Sequence, residues 1–296
     1  MCLVVDPGNH RVMLWKEDAT EGILMAGGRG KGAELHQLDT PYGCAVVKSG
    51  GRIRAMIIVD SGNDRILRWR PGDEQGEVIA GGNGRGIGLH QFNEPRSVFV
   101  DNSGALYIGD RWNHRVVRWL PGASSGELVA GGNGSGKGLH QLTWPYGVAV
   151  DAFGSLIVSD YLNHRVMQWN QGASEGIVVA GGNGQGSELG QLTGPSGICL
   201  DGFGGVLVAD SGNHRIMRWR PAAKEGEIVA GSEESGFGPG QLSWPYAVSL
   251  DPSNAMLIAD HCNHRVVRWE FGESHGTVVA GGGGVGVEPD RFAAMA

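Results

Sequence analysis

Six aspartate and arginine pairs are the most regular candidates for chemistry in the 296-residue sequence. Each aspartate is followed five residues later by its arginine: Asp6 with Arg11, Asp60 with Arg65, Asp110 with Arg115, Asp160 with Arg165, Asp210 with Arg215, and Asp260 with Arg265. Catalytic groups must converge on one point, whereas these pairs recur along the chain. We therefore predict that each pair bridges a turn by a charge-assisted hydrogen bond. The asparagine two residues before each arginine is expected in a left-handed conformation.

Five histidines lie directly before those arginines and could be taken for metal ligands: His10, His114, His164, His214 and His264. In the second copy this position is Asp64. Equivalent atoms of packed sheets stand about 10 Å apart, whereas a zinc–nitrogen bond is about 2 Å long. Because a ring of histidines at that spacing cannot close on one ion, we predict no bound metal and no cofactor.

A glycine-rich run, GGNGSGKG, nearly matches the loop that cradles phosphates in nucleotide-binding proteins. Its last position is Gly138, so the hydroxyl that would bind magnesium is missing. No helix is expected after it to offer its N-terminus to a phosphate. We interpret the run as a connection from an outer strand to the next inner strand.

The elements that position these residues form a repeat. Its most constant part is a seven-residue segment that starts with the motif N-[HD]-R-[VI] and ends in tryptophan. The six copies begin at Asn9, Asn63, Asn113, Asn163, Asn213 and Asn263. The unit Gln141 to Gly190 contains four short apolar runs separated by hairpin-sized turns, and no helical period is present. Four antiparallel strands repeated six times predict an all-β, six-bladed β-propeller, with the tryptophans in its core.

We predict one domain over residues 1–296. Its blades would span approximately 1–37, 38–91, 92–141, 142–191, 192–241 and 242–296. The first copy lacks the segment for an inner strand, so blade 1 is expected to have three strands and an open or strained seam with the last blade. The residues Lys48 to Arg54 are expected to form a longer hairpin turn. The missing segment also suggests a piece of a longer chain or an incomplete gene model.

Composition restricts the partners and the compartment. The formal net charge of −7 disfavours phosphate backbones as a general partner. The four cysteines, Cys2, Cys44, Cys199 and Cys262, have no zinc spacing and are expected to be idle thiols. The first residues contain too few apolar side chains for a signal peptide, and no apolar run is long enough to span a membrane. These features predict a soluble, cytoplasmic or otherwise intracellular chain without a membrane partner.

The repeated pattern P-x-G-[VI]-x-[VL]-D, followed by an apolar strand ending in Asp, two free residues and N-H-R-[VI], resembles NHL repeats over essentially the whole chain. The resemblance implies a six-bladed ring that serves as a non-catalytic binding platform. NHL propellers often form the recognition part of larger chains such as tripartite-motif ubiquitin ligases and bacterial receptor kinases. Some bind single-stranded RNA, and similar propellers include a peptide-amidating lyase and lactonases.

Residues that differ between the repeats are the candidates for binding. In propellers, the loops that enter each inner strand and those between the second and third strands share one face at the channel mouth. The candidates on this face are Tyr42, Arg96, Arg111, Trp112, Trp144, Tyr146, Tyr161, Trp244, Tyr246 and His261, accompanied by Leu162 and Cys262. Aromatic residues with arginine are typical of protein-binding hot spots, and they also stack on unpaired bases. A protein partner is the first hypothesis, RNA the second, and a propeller hydrolase or lyase the third.

Overall fold

The computed structural model describes residues 1–232, 234–293 and 295, and these form six antiparallel sheets. Blade 1 contains β1 (Cys2–Asp6), β2 (Arg11–Trp15) and β3 (Ile23–Gly27). Blade 2 contains β4 (Pro41–Ser49), β5 (Arg52–Asp60), β6 (Arg65–Trp69) and β7 (Glu77–Gly81). Blade 3 contains β8 (Pro95–Val100), β9 (Leu106–Asp110), β10 (Arg115–Trp119) and β11 (Glu127–Gly131).

The remaining blades repeat the same order. Blade 4 contains β12 (Pro145–Val150), β13 (Leu156–Asp160), β14 (Arg165–Trp169) and β15 (Ile177–Gly181). Blade 5 contains β16 (Pro195–Leu200), β17 (Val206–Asp210), β18 (Arg215–Trp219) and β19 (Glu227–Gly231). Blade 6 contains β20 (Pro245–Leu250), β21 (Met256–Asp260), β22 (Arg265–Trp269) and β23 (Thr277–Gly281).

Single 3₁₀ turns join the second and third strands of each blade. They span Pro7–Asn9, Ser61–Asn63, Arg111–Asn113, Tyr161–Asn163, Ser211–Asn213 and His261–Asn263. The predicted six-bladed propeller is confirmed, including the three-stranded first blade. The longer hairpin in blade 2 is also present, with Ser49 paired to Arg52. Among the described residues, no helix has the length and apolar character needed to cross a membrane.

The aspartate and arginine pairs connect each turn to the loop that enters the same blade. In blade 4, Arg165 Nε donates a hydrogen bond to Asp160 Oδ2 at 2.8 Å. The two other guanidinium nitrogens donate to the carbonyl oxygens of Lys137, Gly138 and Gln141 at 2.9 to 3.1 Å. Both side chains are buried. The structural role predicted for the pairs is therefore confirmed, and GGNGSGKG is the predicted strand connection.

The asparagine was expected to be the left-handed residue of each turn. The left-handed residue is instead the one that follows it. In blade 4, His164 has φ of 53°. Asn163 lies inside the 3₁₀ turn and donates hydrogen bonds to Asp160 Oδ2 at 2.8 Å and to the Gly136 carbonyl at 2.7 Å. The prediction was wrong because a 3₁₀ turn places its left-handed residue at the C-terminal cap.

The histidines of the repeat link neighbouring blades. Nδ1 of His164 accepts a hydrogen bond from the Gly194 backbone amide at 3.1 Å, and the amide lies in the loop that enters blade 5. The same bond is formed by His10 with Thr40, His114 with Trp144 and His214 with Trp244. In the second copy Asp64 Oδ1 accepts the equivalent bond from the Glu94 amide at 2.7 Å. In these copies, the residue before the repeat arginine must therefore supply a side-chain atom that accepts a hydrogen bond.

These contacts predict that acidification weakens the fold. Burial lowers the pKa of His114, His164 and His214, so the folded protein keeps their Nδ1 atoms free to accept. Because each folded pKa is lowered, the unfolded chain binds more protons, and stability falls as the pH drops through about 6.5. Urea unfolding at pH 7.5 and pH 5 should show this loss. His164→Asp should reduce the loss, because it removes the imidazole whose protonation blocks the acceptor, and Asp64 shows that aspartate can accept this bond. Equal pH dependence in the two proteins would contradict this explanation.

The core lies between adjacent blades. Each of the six recurring tryptophans is at most 3% exposed, which confirms their predicted core position. In one cluster Trp119 of blade 3 packs with Ile57 and Val59 of blade 2 and with Phe92 of the connecting loop. Its ring centroid lies 5.7 Å from that of Phe92. Packing between sheets, rather than within one sheet, therefore holds the ring together.

The seam between blades 1 and 6, which was expected to be open or strained, is closed at its outer strands. Arg11 donates to the carbonyl oxygens of Val287, Glu288 and Arg291 at 2.7 to 3.0 Å, repeating the set that Arg165 forms within the ring. Trp15 packs against Phe292 with ring centroids 5.8 Å apart. The expectation of an open seam is therefore wrong for these outer contacts, which do not need the inner strand of blade 1.

Candidate functional site

The candidate residues lie on one face of the ring, at the channel mouth. We call this the top face and define it by the six 3₁₀ turns and the first residues of the inner strands. The inner strands begin with proline, which places Tyr42, Arg96, Tyr146 and Tyr246 at equivalent second positions. Arg111, Tyr161 and His261 are likewise equivalent to one another, at the first position of their turns. The repeat geometry therefore brings two sets of variable side chains to the same opening.

Arg96 stands between two tyrosines at this opening. Its guanidinium carbon lies 3.4 Å from the ring centroid of Tyr42 and 5.4 Å from that of Tyr146. Both distances allow cation–π attraction, which holds the side chain without an anionic partner. The arrangement links blades 2, 3 and 4 across the mouth.

Arg111 is the second arginine of the top face and has an acidic partner. Its Nη1 lies 3.2 Å from Glu94 Oε2, and Trp112 Nε1 donates to the same oxygen at 3.1 Å. The guanidinium carbon also lies 4.2 Å from the ring centroid of Trp144. The rings of Trp112 and Trp144 meet edge to face with centroids 4.9 Å apart. Arg111 therefore organises an aromatic patch whose outer member, Trp112, is 41% exposed.

A row of stacked rings continues the patch across the mouth. Tyr146 stacks on Tyr161 with centroids 4.4 Å apart, and Tyr246 stacks on His261 at 4.7 Å. Tyr146 and Tyr246 meet edge to face at 6.0 Å, which joins the two stacks. Burial raises the pKa of both Tyr161 and Tyr246, so their phenols remain neutral. The row is thus an aromatic surface beside two arginines.

Nine of the ten predicted residues belong to this connected network, and Trp244 lies apart from it. Trp244 is exposed and meets His214 edge to face at 6.0 Å. Leu162 and Cys262 are exposed nearby in their turns. Our sequence reasoning missed Glu94, although it also occupies a variable position, two residues before Arg96. It is the acceptor that orients Arg111 and Trp112.

Below the mouth lies a channel cavity of about 460 Å³. Tyr42, Arg96, Tyr146 and Tyr246 line its upper end, and Lys48 and Asp251 line the end at the inner hairpins. The wall between them consists of inner-strand residues, of β1 in blade 1, and of Leu257, Ala259 and Val266 from the second and third strands of blade 6. Because the inner strand of blade 1 is missing, the second strand of that blade borders the channel.

Metal-binding side chains and thiols are the other groups that could carry chemistry. Among the described residues, no group of three or more His, Cys, Asp or Glu side chains could hold a metal ion. The four cysteines are free, and burial raises the pKa of Cys44 to about 12. A thiol with so high a pKa is a poor nucleophile near neutral pH. The top face instead presents rings, two guanidinium groups and one carboxylate.

Comparison with protein families and known structures agrees with this architecture. The NHL repeat family model matches residues 92–119 and 192–218, which confirms the predicted NHL resemblance. A search of curated protein sequences finds no match.

Solved structures with a similar fold include binding proteins and enzymes. A nidogen/laminin complex gives a TM-score of 0.67 at 16% identity, covering 93% of this chain and 90% of that one. A gluconolactonase from Xanthomonas campestris gives 0.62 at 18% identity, covering 87% and 78%. A catalytically inactive virginiamycin B lyase from Staphylococcus aureus, solved with quinupristin, gives 0.51 at 12% identity, covering 80% and 68%. At these identities the similarity is one of fold.

Proposed function

We propose that this NHL-repeat β-propeller is a non-catalytic platform that binds another protein through its top face. The observation that carries the proposal is the continuous network of aromatic rings and arginines at the channel mouth. Large rings that are already packed against each other lose little side-chain entropy on binding, and they dominate protein interfaces. A structure containing the nidogen/laminin complex has a similar fold, which supports a propeller in such a role.

The contacts of the top face favour protein over RNA. Arg111 is already paired with Glu94, so its charge is not free for a phosphate. Tracking a nucleic-acid backbone requires a series of unpaired cations, and the net charge of −7 opposes it. The rings are also packed edge to face or against each other, which leaves few flat surfaces for bases.

A variant of three top-face rings tests the proposal. We expect Trp112→Ala with Tyr146→Ala and Tyr246→Ala to weaken partner binding by at least about thirtyfold, because hot-spot residues cost about 2 kcal/mol or more when truncated. The measurement is affinity capture from a lysate with quantitative mass spectrometry, with and without ribonuclease, followed by titration of the captured partner.

The matched control is Phe153→Ala with Phe203→Ala. These two rings are 93% and 80% exposed and lie in the hairpins between first and second strands, away from the top face. Circular dichroism and melting temperature would verify the fold of both variants.

Because Tyr146 is buried, Trp112→Ala alone serves as a milder test. A ribonuclease-resistant protein lost only in the top-face variants supports the proposal. Capture abolished by ribonuclease, or capture that is equal in all variants, overturns it.

A further inference from the structure

Arg96 is a guanidinium group without an acceptor. Its Nε and Nη1 atoms are out of contact with solvent, and no described residue accepts a hydrogen bond from either of them. No described carboxylate forms an ion pair with it, unlike Arg111 and the six arginines of the repeat. Buried donors of a charged group are normally paired, since the missing bonds cost free energy. Arg96 therefore has a positive charge at the channel mouth that no described residue pairs with.

The surroundings hold Arg96 in place for such a partner. Tyr42 covers one face of the guanidinium at 3.4 Å, and Tyr146 lies at 5.4 Å. Gly43 allows blade 2 to approach so closely that a Cβ there would lie 2.8 Å from the Arg96 carbonyl oxygen. A side chain held in this way loses little conformational entropy when it binds.

The cavity beneath Arg96 has matching electrostatics. Of the described residues that line it, Asp251 is the one acid, and it lies at the opposite end. Its carboxylate is engaged by Arg268 at 2.8 Å. The upper channel thus combines one unpaired positive charge with tyrosine rings and apolar strand residues. This chemistry fits a single carboxylate carried on a short apolar stem.

We propose that the channel mouth holds an acidic side chain, Asp or Glu, from a protein partner, with its carboxylate bound to Arg96. The inference rests on the proposed protein-binding function and names the residue that anchors the partner. A carboxylate would supply the counter-charge that Arg96 lacks among the described residues, and the pair would be shielded by Tyr42 and Tyr146. A partner's neighbouring residues would then cover the ring patch around Trp112.

The test uses a displayed library of random twelve-residue peptides, selected on the intact propeller. We expect the selected peptides to share an acidic residue at one position. The strongest would be synthesised together with its Asp→Asn or Glu→Gln counterpart. That change in the peptide and Arg96→Gln in the protein should each weaken binding by about tenfold or more, since charged hydrogen bonds contribute about 1.5–3 kcal/mol. Combining the two changes should give little further loss, because they remove the same contact.

Controls separate this inference from the proposed function. Arg220→Gln removes an exposed arginine from another loop, whose Nη2 lies 3.5 Å from Glu227, and should leave peptide binding unchanged. If selected peptides lose binding to Trp112→Ala but not to Arg96→Gln, protein binding by the top face is supported. The proposal that Arg96 binds an acidic side chain is then overturned. Peptides that bind all top-face variants equally overturn both. Arg96→Lys guards against a folding defect, because it keeps the charge and should retain part of the affinity.

Discussion

Replacement of Arg215 by methionine is expected to lower the free energy of unfolding by about 3–5 kcal/mol. Arg215 and Asp210 are both fully buried, and their Nε and Oδ2 atoms are 2.8 Å apart. The same guanidinium donates to the carbonyl oxygens of Ser187, Glu188 and Gln191. Methionine fills similar space but leaves a buried carboxylate without its counter-charge and three carbonyl groups without donors. Urea unfolding followed by tryptophan fluorescence would measure the loss.

The control for this prediction is Arg68→Met, which removes an arginine from an exposed pair. Arg68 Nη2 lies 2.7 Å from Glu77 Oε1, but the two side chains are 37% and 49% exposed. Exposed pairs contribute about 0–1 kcal/mol, so this variant should remain close to wild type. Equal losses in the two variants would show that burial and the loop carbonyls do not distinguish the repeated pairs. The prediction would then be wrong.

The sequence predicts the blades well because their signals are local. The apolar run RVMQW coincides with β14, and the turn that precedes it is marked by asparagine and the Asp160 and Arg165 pair. The alternation of apolar and polar side chains and the turn residues can be recognised within about five to ten consecutive residues. Six copies of the same pattern make the prediction of strands and turns more certain. The missing inner strand of blade 1 follows from the same comparison of copies.

Contacts between blades are less visible in the sequence because their partners are about thirty or more residues apart. The bond from the Gly194 amide to His164 joins two repeats, and nothing in either copy alone indicates it. The position of Arg96 between Tyr42 and Tyr146 depends on the curvature of the whole ring. The candidate list placed both arginines on the top face, but it could not distinguish Arg111, which has an acidic partner, from Arg96, which has none.

Replacement of Gly147 by valine is expected to destabilise the fold by more than about 3 kcal/mol, beyond the usual range for overpacking. Gly147 lies in the inner strand β12, and a Cβ there would stand 2.6 Å from the Ser196 carbonyl oxygen and 2.9 Å from the Ile198 nitrogen. Both atoms belong to the backbone of blade 5, so they cannot avoid the clash by a change of side-chain rotamer. Gly43 and Gly197 occupy equivalent positions against blades 3 and 6. Small residues at this position therefore set how closely the inner strands approach.

Gly202→Val provides the comparison, because a Cβ at Gly202 has no neighbour within 4 Å. Its loss should stay below about 1 kcal/mol, as for most surface changes. If Gly147→Val still folds, blades 4 and 5 must separate. Tyr146, the residue next to Gly147, would then move relative to Tyr246 and Arg96. Such a variant should lose top-face binding even where it remains folded, whereas unchanged stability and binding would contradict the role of close inner-strand packing. The glycines at this position of the inner strands are thus expected to determine both the stability of the propeller and the shape of the mouth that presents its aromatic residues.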